Sequence, residues 1–479
     1  MADQSISASS GGPAETCALW RRAAAALRSP NALLLAGGLI LPNLLSLVTH
    51  TSLVDIGLPP RPGAIILYAT LAILARRIPF AVTAALYAGL LCFDLVRTLS
   101  LMFGLAPAEL VAALDQARRI QFFASPLYLT LIGALALATL AALACLHRRD
   151  MLVRANIALL LSGALCVATV DYFSNVSPHY QFGSMFGHDQ PVQSAAEVSG
   201  FNAVAGARGN NVVVVIVESL GYLTDAAARE RIAAPLYDSA LARDYAVTEG
   251  HTVYYGSTTS GEMRELCNTR AFYSDYVGQY GYSCLPDLLD RRGYTSIAVH
   301  GFAGGMFERE QWYPRVGFDR ELFGGDLVKT TQRVCGSAFR GACDADLAPA
   351  IAAASRQAAR GGKPRFIYWL TLNTHIPVAP GEARTDFHCR RDAGGFGAPT
   401  VCHMAELWHD VFKAVADIAR DPAVGPADIL IVGDHAPPLW SRRGRGQFAP
   451  GQVAWYRLQP RRDAPAAMRE AMSAAPLTP

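Results

Sequence analysis

Apolar positions are distributed unevenly along the chain. Between residues 32 and 170 they form long runs dense in Leu and Ala. Beyond that they contract into short β-branched runs separated by polar, helix-periodic stretches. Crossing a bilayer as a helix takes roughly 20 apolar residues. The long runs predict five spans: Ala32–Val48, Gly63–Ala75, Phe80–Leu105, Ala124–Leu146 and Met151–Tyr172. Gly63–Ala75 is short and depends on its neighbours. Ala14–Arg28 followed by Leu33–Leu41 has the look of a signal peptide, but the apolar stretch continues to Val48 and further spans follow, so an uncleaved first span is expected.

The basic residues orient these spans. Arg21, Arg22 and Arg28 precede the first, and Arg76, Arg77, His147, Arg148, Arg149 and Arg154 occupy the second and fourth gaps. Positive loops stay in the cytoplasm, so the N-terminus is expected inside and everything after Tyr172 outside. Arg118 and Arg119 lie in the third gap, against this trend. Glu109 and Asp115 partly offset them, and this amphipathic stretch is expected along the outer interface. Asp94 and Arg97, three residues apart in the third span, are spaced to pair on one helix face.

The later runs predict a different architecture. Asn211–Val217 is continuously apolar, as in a strand buried on both faces. Tyr294–Val299, Phe366–Leu372 and Asp428–Val432 repeat the pattern. Cys284–Arg292, Asp344–Arg360 and Ala405–Arg420 between them read as helices. This alternation predicts a largely parallel sheet covered on both faces. The expected organisation is a cytoplasmic N-terminus (1–31), an all-α transmembrane module (32–172), a juxtamembrane linker (173–209), an extracytoplasmic α/β domain (210–460) and a C-terminal tail (461–479).

Composition adds little except through cysteine. The apolar fraction of 52% reflects the spans, and a net charge of +3 says nothing about partners. Without a basic tract interleaved with aromatics, nucleic acid is not an expected partner. The outer domain holds Cys267, Cys284, Cys335, Cys343, Cys389 and Cys402, each near a sequence neighbour. Pairing of neighbours is the simplest arrangement and suits an oxidising compartment. The spacings contain no C-x₂-C pair, which argues against a cysteine zinc site.

The chemistry gathers at the strand ends: Glu218-Ser219, His300-Gly301, Asn373-Thr374-His375 and Gly433-Asp434-His435. Ligands of open α/β sheets bind outside the carboxyl ends of the strands. Any one of these residues alone reads more readily as a cap, a turn or a structural histidine; four ends carrying such groups point to a convergent site. A nucleophile candidate lies in Gly256-Ser-Thr-Thr-Ser-Gly-Glu262, a hydroxyl-rich loop leading into a helix. The plain alternative is an N-cap. A threonine hydroxyl is weakly nucleophilic at neutral pH, and a divalent cation would activate it. Glu218, Asp434 and His435 offer two oxygens and a nitrogen, which suits Mn²⁺ or Zn²⁺, and Mg²⁺ less well. Arg442-Arg-Gly-Arg445 reads either as an anion-binding segment or as a solvated charge run, the latter being favoured.

The chain resembles the lipoteichoic-acid-synthase and phosphoglycerol-transferase branch of the alkaline phosphatase/sulfatase superfamily. Asn211–Leu220, Thr259-Ser-Gly-Glu262, His300-Gly301, Phe307-Glu-Arg309, Gly317-Phe-Asp319, Thr374-His-Ile-Pro377 and Gly433-Asp-His435 occur in that family's order. The resemblance implies that Glu218, Thr259, Asp434 and His435 hold the metal, with Thr259 as nucleophile and Thr258 as the fallback. It places His375 by the reacting oxygens, as acid/base or hydrogen-bond donor, and His300, Phe307 and Arg309 on the substrate. Phe307 stands where related enzymes carry tryptophan. The implied reaction moves phosphoglycerol from phosphatidylglycerol to a glycan or polymer acceptor through a phosphothreonine, at the inner (cytoplasmic) membrane with the catalytic domain periplasmic. Phosphoethanolamine transfer from phosphatidylethanolamine is the first alternative. A sulfatase or phosphodiesterase is the second, although the Cys/Ser-x-Pro-x-Arg sequence of typical sulfatases is missing around Thr259. A non-catalytic membrane scaffold is the third.

Overall fold

The computed structural model describes residues 29–49, 55–112, 120, 122–179, 192–277, 283–331 and 333–461. Arg21, Arg22, Arg28, Asp115, Arg118, Arg119 and nearly all of the expected C-terminal tail lie outside the described residues. The chain divides into two compact units. One comprises Met1–Thr98 with Thr130–Val176, the other Leu99–Leu129 with Ser177–Pro479.

The first unit is helical. Among the described residues, three helices are long and apolar enough to cross a membrane: α1 (Phe80–Phe103), α2 (Pro126–His147) and α3 (Ile157–Asn175). The other two expected spans form shorter apolar helices, Pro30–Ile40 and Pro62–Leu74. At ~1.5 Å per residue, a 13-residue helix reaches roughly 20 Å, against a hydrocarbon core of about 30 Å. Asp94 does not pair with Arg97. Its carboxylate is bidentate with Arg61, and both side chains are buried. Arg97 instead donates to the Pro60 carbonyl at 3.2 Å. Asp171 accepts from Ser46 Oγ at 2.6 Å and from the Arg61 amide at 2.5 Å. In an apolar bundle, charges persist only when paired and turned inward, and these satisfy both conditions.

The second unit is built on an eight-stranded sheet. Its strands are β1 (Asn211–Val217), β2 (Gly221–Leu223), β3 (Tyr245–Val253), β4 (Thr295–His300), β5 (Arg320–Phe323), β8 (Arg365–Leu370), β9 (Ala427–Gly433) and β10 (Phe448–Pro460). β6 (Val334–Cys335) and β7 (Gly341–Ala342) form a separate two-stranded ladder. The order is β2-β10-β9-β1-β8-β4-β5, with β3 on β10. The run β9-β1-β8-β4-β5 is parallel throughout, and β10 pairs antiparallel with β9, β3 and β2. The four strands expected from sequence form the parallel centre. The antiparallel flank and β5 were not anticipated, because β3 is largely exposed and β10 is buried at alternate positions only in its second half, so neither leaves a continuous apolar run.

β1 explains the continuous apolar pattern. Val213, Val215 and Val217 enter one core with Trp408, Phe412 and Ile351. Val212, Val214 and Ile216 enter the other with Met263, Leu289, Trp312 and Tyr313. The period of two along a strand sends alternate residues to opposite faces, and here both faces are covered. The helices responsible include α4 (Thr258–Cys267), α5 (Ala348–Gly361) and α6 (Pro399–Arg420). Disulfides join Cys267 to Cys284, Cys335 to Cys343 and Cys389 to Cys402, each closing a local loop.

Candidate active site

The carboxyl ends of β1 and β9 adjoin, since Val217 is in register with Gly433. The next residues, Glu218 and Asp434-His435, therefore emerge side by side. One ligand atom from each of Glu218, Asp434 and His435 lies within 4.8 Å of the other two, and all three residues are buried. His435 Nε2 stands 3.5 Å from Asp434 Oδ2 and 3.7 Å from Glu218 Oε1.

Two backbone features allow this convergence. Ser219 has a positive φ of 58°, a region costly for non-glycine residues and found mostly where function requires it. In that conformation its amide donates to Asp434 Oδ1 at 2.7 Å and its hydroxyl to Glu218 Oε1 at 2.8 Å. Gly433 must lack a side chain, because a Cβ there would lie 1.9 Å from the Leu220 carbonyl oxygen.

A threonine hydroxyl lies against the group, that of Thr258. Thr258 Oγ1 donates to Glu218 Oε2 at 3.1 Å and lies 3.4 Å from His435 Nε2. Thr258 is the first residue of α4, after the N-cap Ser257. Thr259 is one position on, turned ~100° around the helix, and is buried. The helical phase therefore presents the neighbour of the residue expected from sequence. The free amides at the start of α4 suit an anion beside Thr258. α4 is held close by Gly261, where a Cβ would meet Asp434 Cα at 2.8 Å. It is also clamped by Arg264, whose Nη1 and Nη2 donate to the Asp434 and Gly433 carbonyls at 3.0 and 2.7 Å.

The electrostatics fit a cation. Burial, then the neighbouring Glu218, pushes the Asp434 carboxyl up to about 7. Asp434 Oδ2 is buried without a hydrogen-bond partner. Burial lowers the His435 value, but Asp434 and Glu218 outweigh it and raise the net value. Two adjacent buried carboxylates with an unsatisfied oxygen are costly without a counter-charge. His435 Nδ1 donates to the Ala436 carbonyl at 2.9 Å, which leaves the Nε2 lone pair facing the cluster, as in metal-ligating histidines. These residues fit a divalent cation. A second grouping, Cys389 with His403 and Glu406, does not, because Cys389 is disulfide-bonded.

The remaining site residues distribute differently from expectation. His375 donates Nδ1–H to the Ile376 carbonyl at 2.8 Å, and its ring lies 3.8 Å from that of Phe339. Burial, and to a lesser degree His435, lowers it to about 4. It is neutral at pH 7 with Nε2 unprotonated. His300 is likewise neutral, lowered to about 3 by burial and by Arg309, with Nδ1 donating to the Leu370 carbonyl at 3.1 Å. Arg309, expected on the substrate, directs its guanidinium fork at Glu262: Nε and Nη2 donate to Oε2 at 3.2 and 2.8 Å, and Nη1 to the Met306 carbonyl at 3.2 Å. Its guanidinium also lies 5.3 Å over the Phe307 ring. Arg445, in the run read as solvated, is buried and donates to the Leu439 carbonyl at 2.7 Å.

Sequence reasoning missed the residues behind the ligands. Thr371 Oγ1 accepts from the Glu218 amide at 2.9 Å, and Trp408 Nε1 donates to the Glu218 carbonyl at 3.2 Å. Glu262 was visible only as part of a motif, yet it accepts from Arg309, Tyr313 and Tyr368. Glu262→Ala would strand a buried Arg309. A loss of about 3–5 kcal/mol is expected, read as a drop in the thermal unfolding midpoint of the detergent-solubilised protein. Unchanged stability would refute the counter-ion role.

Residues 210–420 match the family model described as Sulfatase. This segment is similar to the sulfatase family. The superfamily resembled by the ordered motifs is thus the one recovered for the domain that carries them. No curated protein sequence matches the chain. Among solved structures, this chain is similar to the lipoteichoic acid synthase LtaP from Listeria monocytogenes (TM-score 0.42, 15% identity, 55% of this chain and 68% of that one). It is also similar to the Streptococcus pyogenes phosphoglycerol transferase GacH in complex with sn-glycerol-1-phosphate (TM-score 0.36, 15%, 52% and 68%). A third is the C-terminal periplasmic domain of EcEptC from Escherichia coli (TM-score 0.35, 14%, 54% and 74%).

Proposed function

We propose that this protein is a metal-dependent transferase of a substituted phosphate, moving phosphoglycerol from phosphatidylglycerol to an extracytoplasmic glycan or polymer. The observation that carries the reading is the Thr258 hydroxyl at the start of α4, hydrogen-bonded to Glu218 and adjacent to His435. Glu218, Asp434 and His435, with Thr258 as the fourth ligand, would hold one divalent cation, Mn²⁺ or Zn²⁺. When bound, that cation lowers the proton affinity of a ligating oxygen and offsets charge on phosphate.

The chain's own residues account for the rest. Thr258 Oγ forms a bond to phosphorus, and the bond from phosphorus to the diacylglycerol oxygen breaks. Thr258 loses a proton and the departing diacylglycerol gains one. His375, neutral and bare at Nε2, is assigned to carry it. The acceptor hydroxyl then attacks the phosphothreonine, the Thr258–phosphorus bond breaks, and the acceptor's proton returns to Thr258. The α4 amides orient the phosphate throughout.

A lipid donor accords with the apolar helices that precede the domain. In this reading the chain is a multi-pass protein of the inner membrane with five spans, the two shorter helices included. Its disulfide-bonded domain lies on the outer side, where such bonds persist. Labelled phosphatidylglycerol and phosphatidylethanolamine, supplied separately to the full-length protein, test the donor. Diacylglycerol release from phosphatidylglycerol alone is expected. Release from phosphatidylethanolamine alone would replace the donor with its phosphoethanolamine counterpart.

A further inference from the structure

The second compact unit contains a piece that precedes α2 in the chain: Leu99–Leu129, beginning with the last turn of α1. Its residues reach the active site at two places. Met102, Phe103 and Gly104 line one crevice with Tyr254, Ser257 and the ligand His435. Ile120 packs against the buried cluster of Phe302, Met306 and Leu372, alongside Phe307 and Phe339, and Phe339 covers His375. Tyr128 ties the segment down near the same histidine, its hydroxyl donating to the Ile376 carbonyl at 3.5 Å. Apolar side chains carried by one segment thus stand beside His435 and beside the Phe339 ring that packs on His375.

A site that only handled small polar phosphates would have no use for such a rim. α1 is 24 residues long and apolar enough to cross a membrane, and the rim begins on its final turn. Phe123, on the same segment, is 88% exposed. The continuity of an apolar helix with the wall of the site selects an occupant that is itself part polar phosphate and part hydrocarbon.

We propose that Met102, Phe103 and Ile120 form the acyl-glycerol subsite, contacting the two-chain apolar half of a glycerophospholipid while its phosphate lies at Thr258. The assignment rests on the transferase reading above and deepens it. It makes the segment a determinant of specificity for lipid diesters over soluble ones.

The test uses the full-length protein in mixed micelles and two substrates, phosphatidylglycerol and the soluble diester bis(p-nitrophenyl) phosphate. The readout is the ratio of their kcat/KM values. Replacing an apolar side chain by serine removes its contact with the lipid, so in Met102→Ser, Phe103→Ser and Ile120→Ser the lipid-to-soluble ratio falls roughly tenfold or more. The fall is carried mainly by KM for the lipid. Met102→Leu, which keeps the apolar surface, holds the ratio near wild type. A ratio unchanged in all three serine variants, including an equal loss on both substrates, overturns the subsite. A wild-type protein that cleaves the soluble diester but releases diacylglycerol from neither phospholipid overturns the transferase reading itself, so the two failures are told apart.

Discussion

Thr258→Ala is expected to abolish diacylglycerol release, while Thr259→Ala retains it. Removal of a covalent nucleophile costs on the order of 10³-fold or more in kcat, and the loss falls on whichever hydroxyl meets phosphorus. Thr258 Oγ1 is 3.1 Å from Glu218 Oε2 and 3.4 Å from His435 Nε2, within reach of any cation those ligands hold. Thr259 is buried one helical step away, so its truncation acts through packing and is expected to change turnover only severalfold. Thr258→Ser keeps an oxygen at the same place and is expected to recover part of the activity. Mass spectrometry of acid-quenched enzyme supplies a second readout: a phosphoglyceryl adduct on residue 258 in wild type, absent in Thr258→Ala. An adduct on Thr259, or full activity in Thr258→Ala, would reverse the assignment.

The second large effect concerns the cation. Chelation is expected to remove activity, and readdition of Mn²⁺ or Zn²⁺ to restore it. A ligand that binds only the folded state at 100 times its Kd stabilises by about 2.7 kcal/mol. Added metal is therefore expected to raise the unfolding midpoint of wild type, and much less that of Asp434→Asn. A pH signature follows. In the metal-free site, burial and Glu218 hold the Asp434 carboxyl at about 7. Below that pH the group carries a proton which binding must displace; above it there is none to displace. Metal affinity is thus expected to weaken as pH falls below about 7, by up to about tenfold per pH unit for each proton displaced, the raised His435 adding to Asp434. Titration of the unfolding midpoint with metal between pH 5.5 and 8.5 measures this. A pH-independent response in wild type, or equal stabilisation of Asp434→Asn, would show that the metal binds elsewhere.

How much of this was legible from sequence depended on how local each feature is. The strands β1, β4, β8 and β9 were readable because burial on both faces leaves an unbroken apolar run. Their terminal residues Glu218, His300 and Asp434-His435 followed, since a strand end is a position along the chain. The flank of β10 with β3 was not readable, because half-covered strands alternate weakly and their partners are distant in sequence. The resemblance placed Arg309 on the phosphate or glycerol of the donor. The structure gives it a carboxylate 47 residues earlier, Glu262. Asp94 likewise had a plausible partner three residues away, yet pairs with Arg61.

The clearest division lies in the candidate site itself. By itself the sequence determined a sheet with carboxylates and histidines at its strand ends, a hydroxyl-rich helix start and a long apolar N-terminal region, because each is a pattern of neighbouring residues. Only the tertiary structure decided which of two adjacent threonines faces Glu218. That choice depends on the phase of α4, set where Ser257 starts the helix and where Gly261 and Arg264 seat it on β9. Only the tertiary structure, too, brought Met102 and Ile120 to the site, since contacts across hundreds of residues are fixed by packing and leave no local trace in the chain.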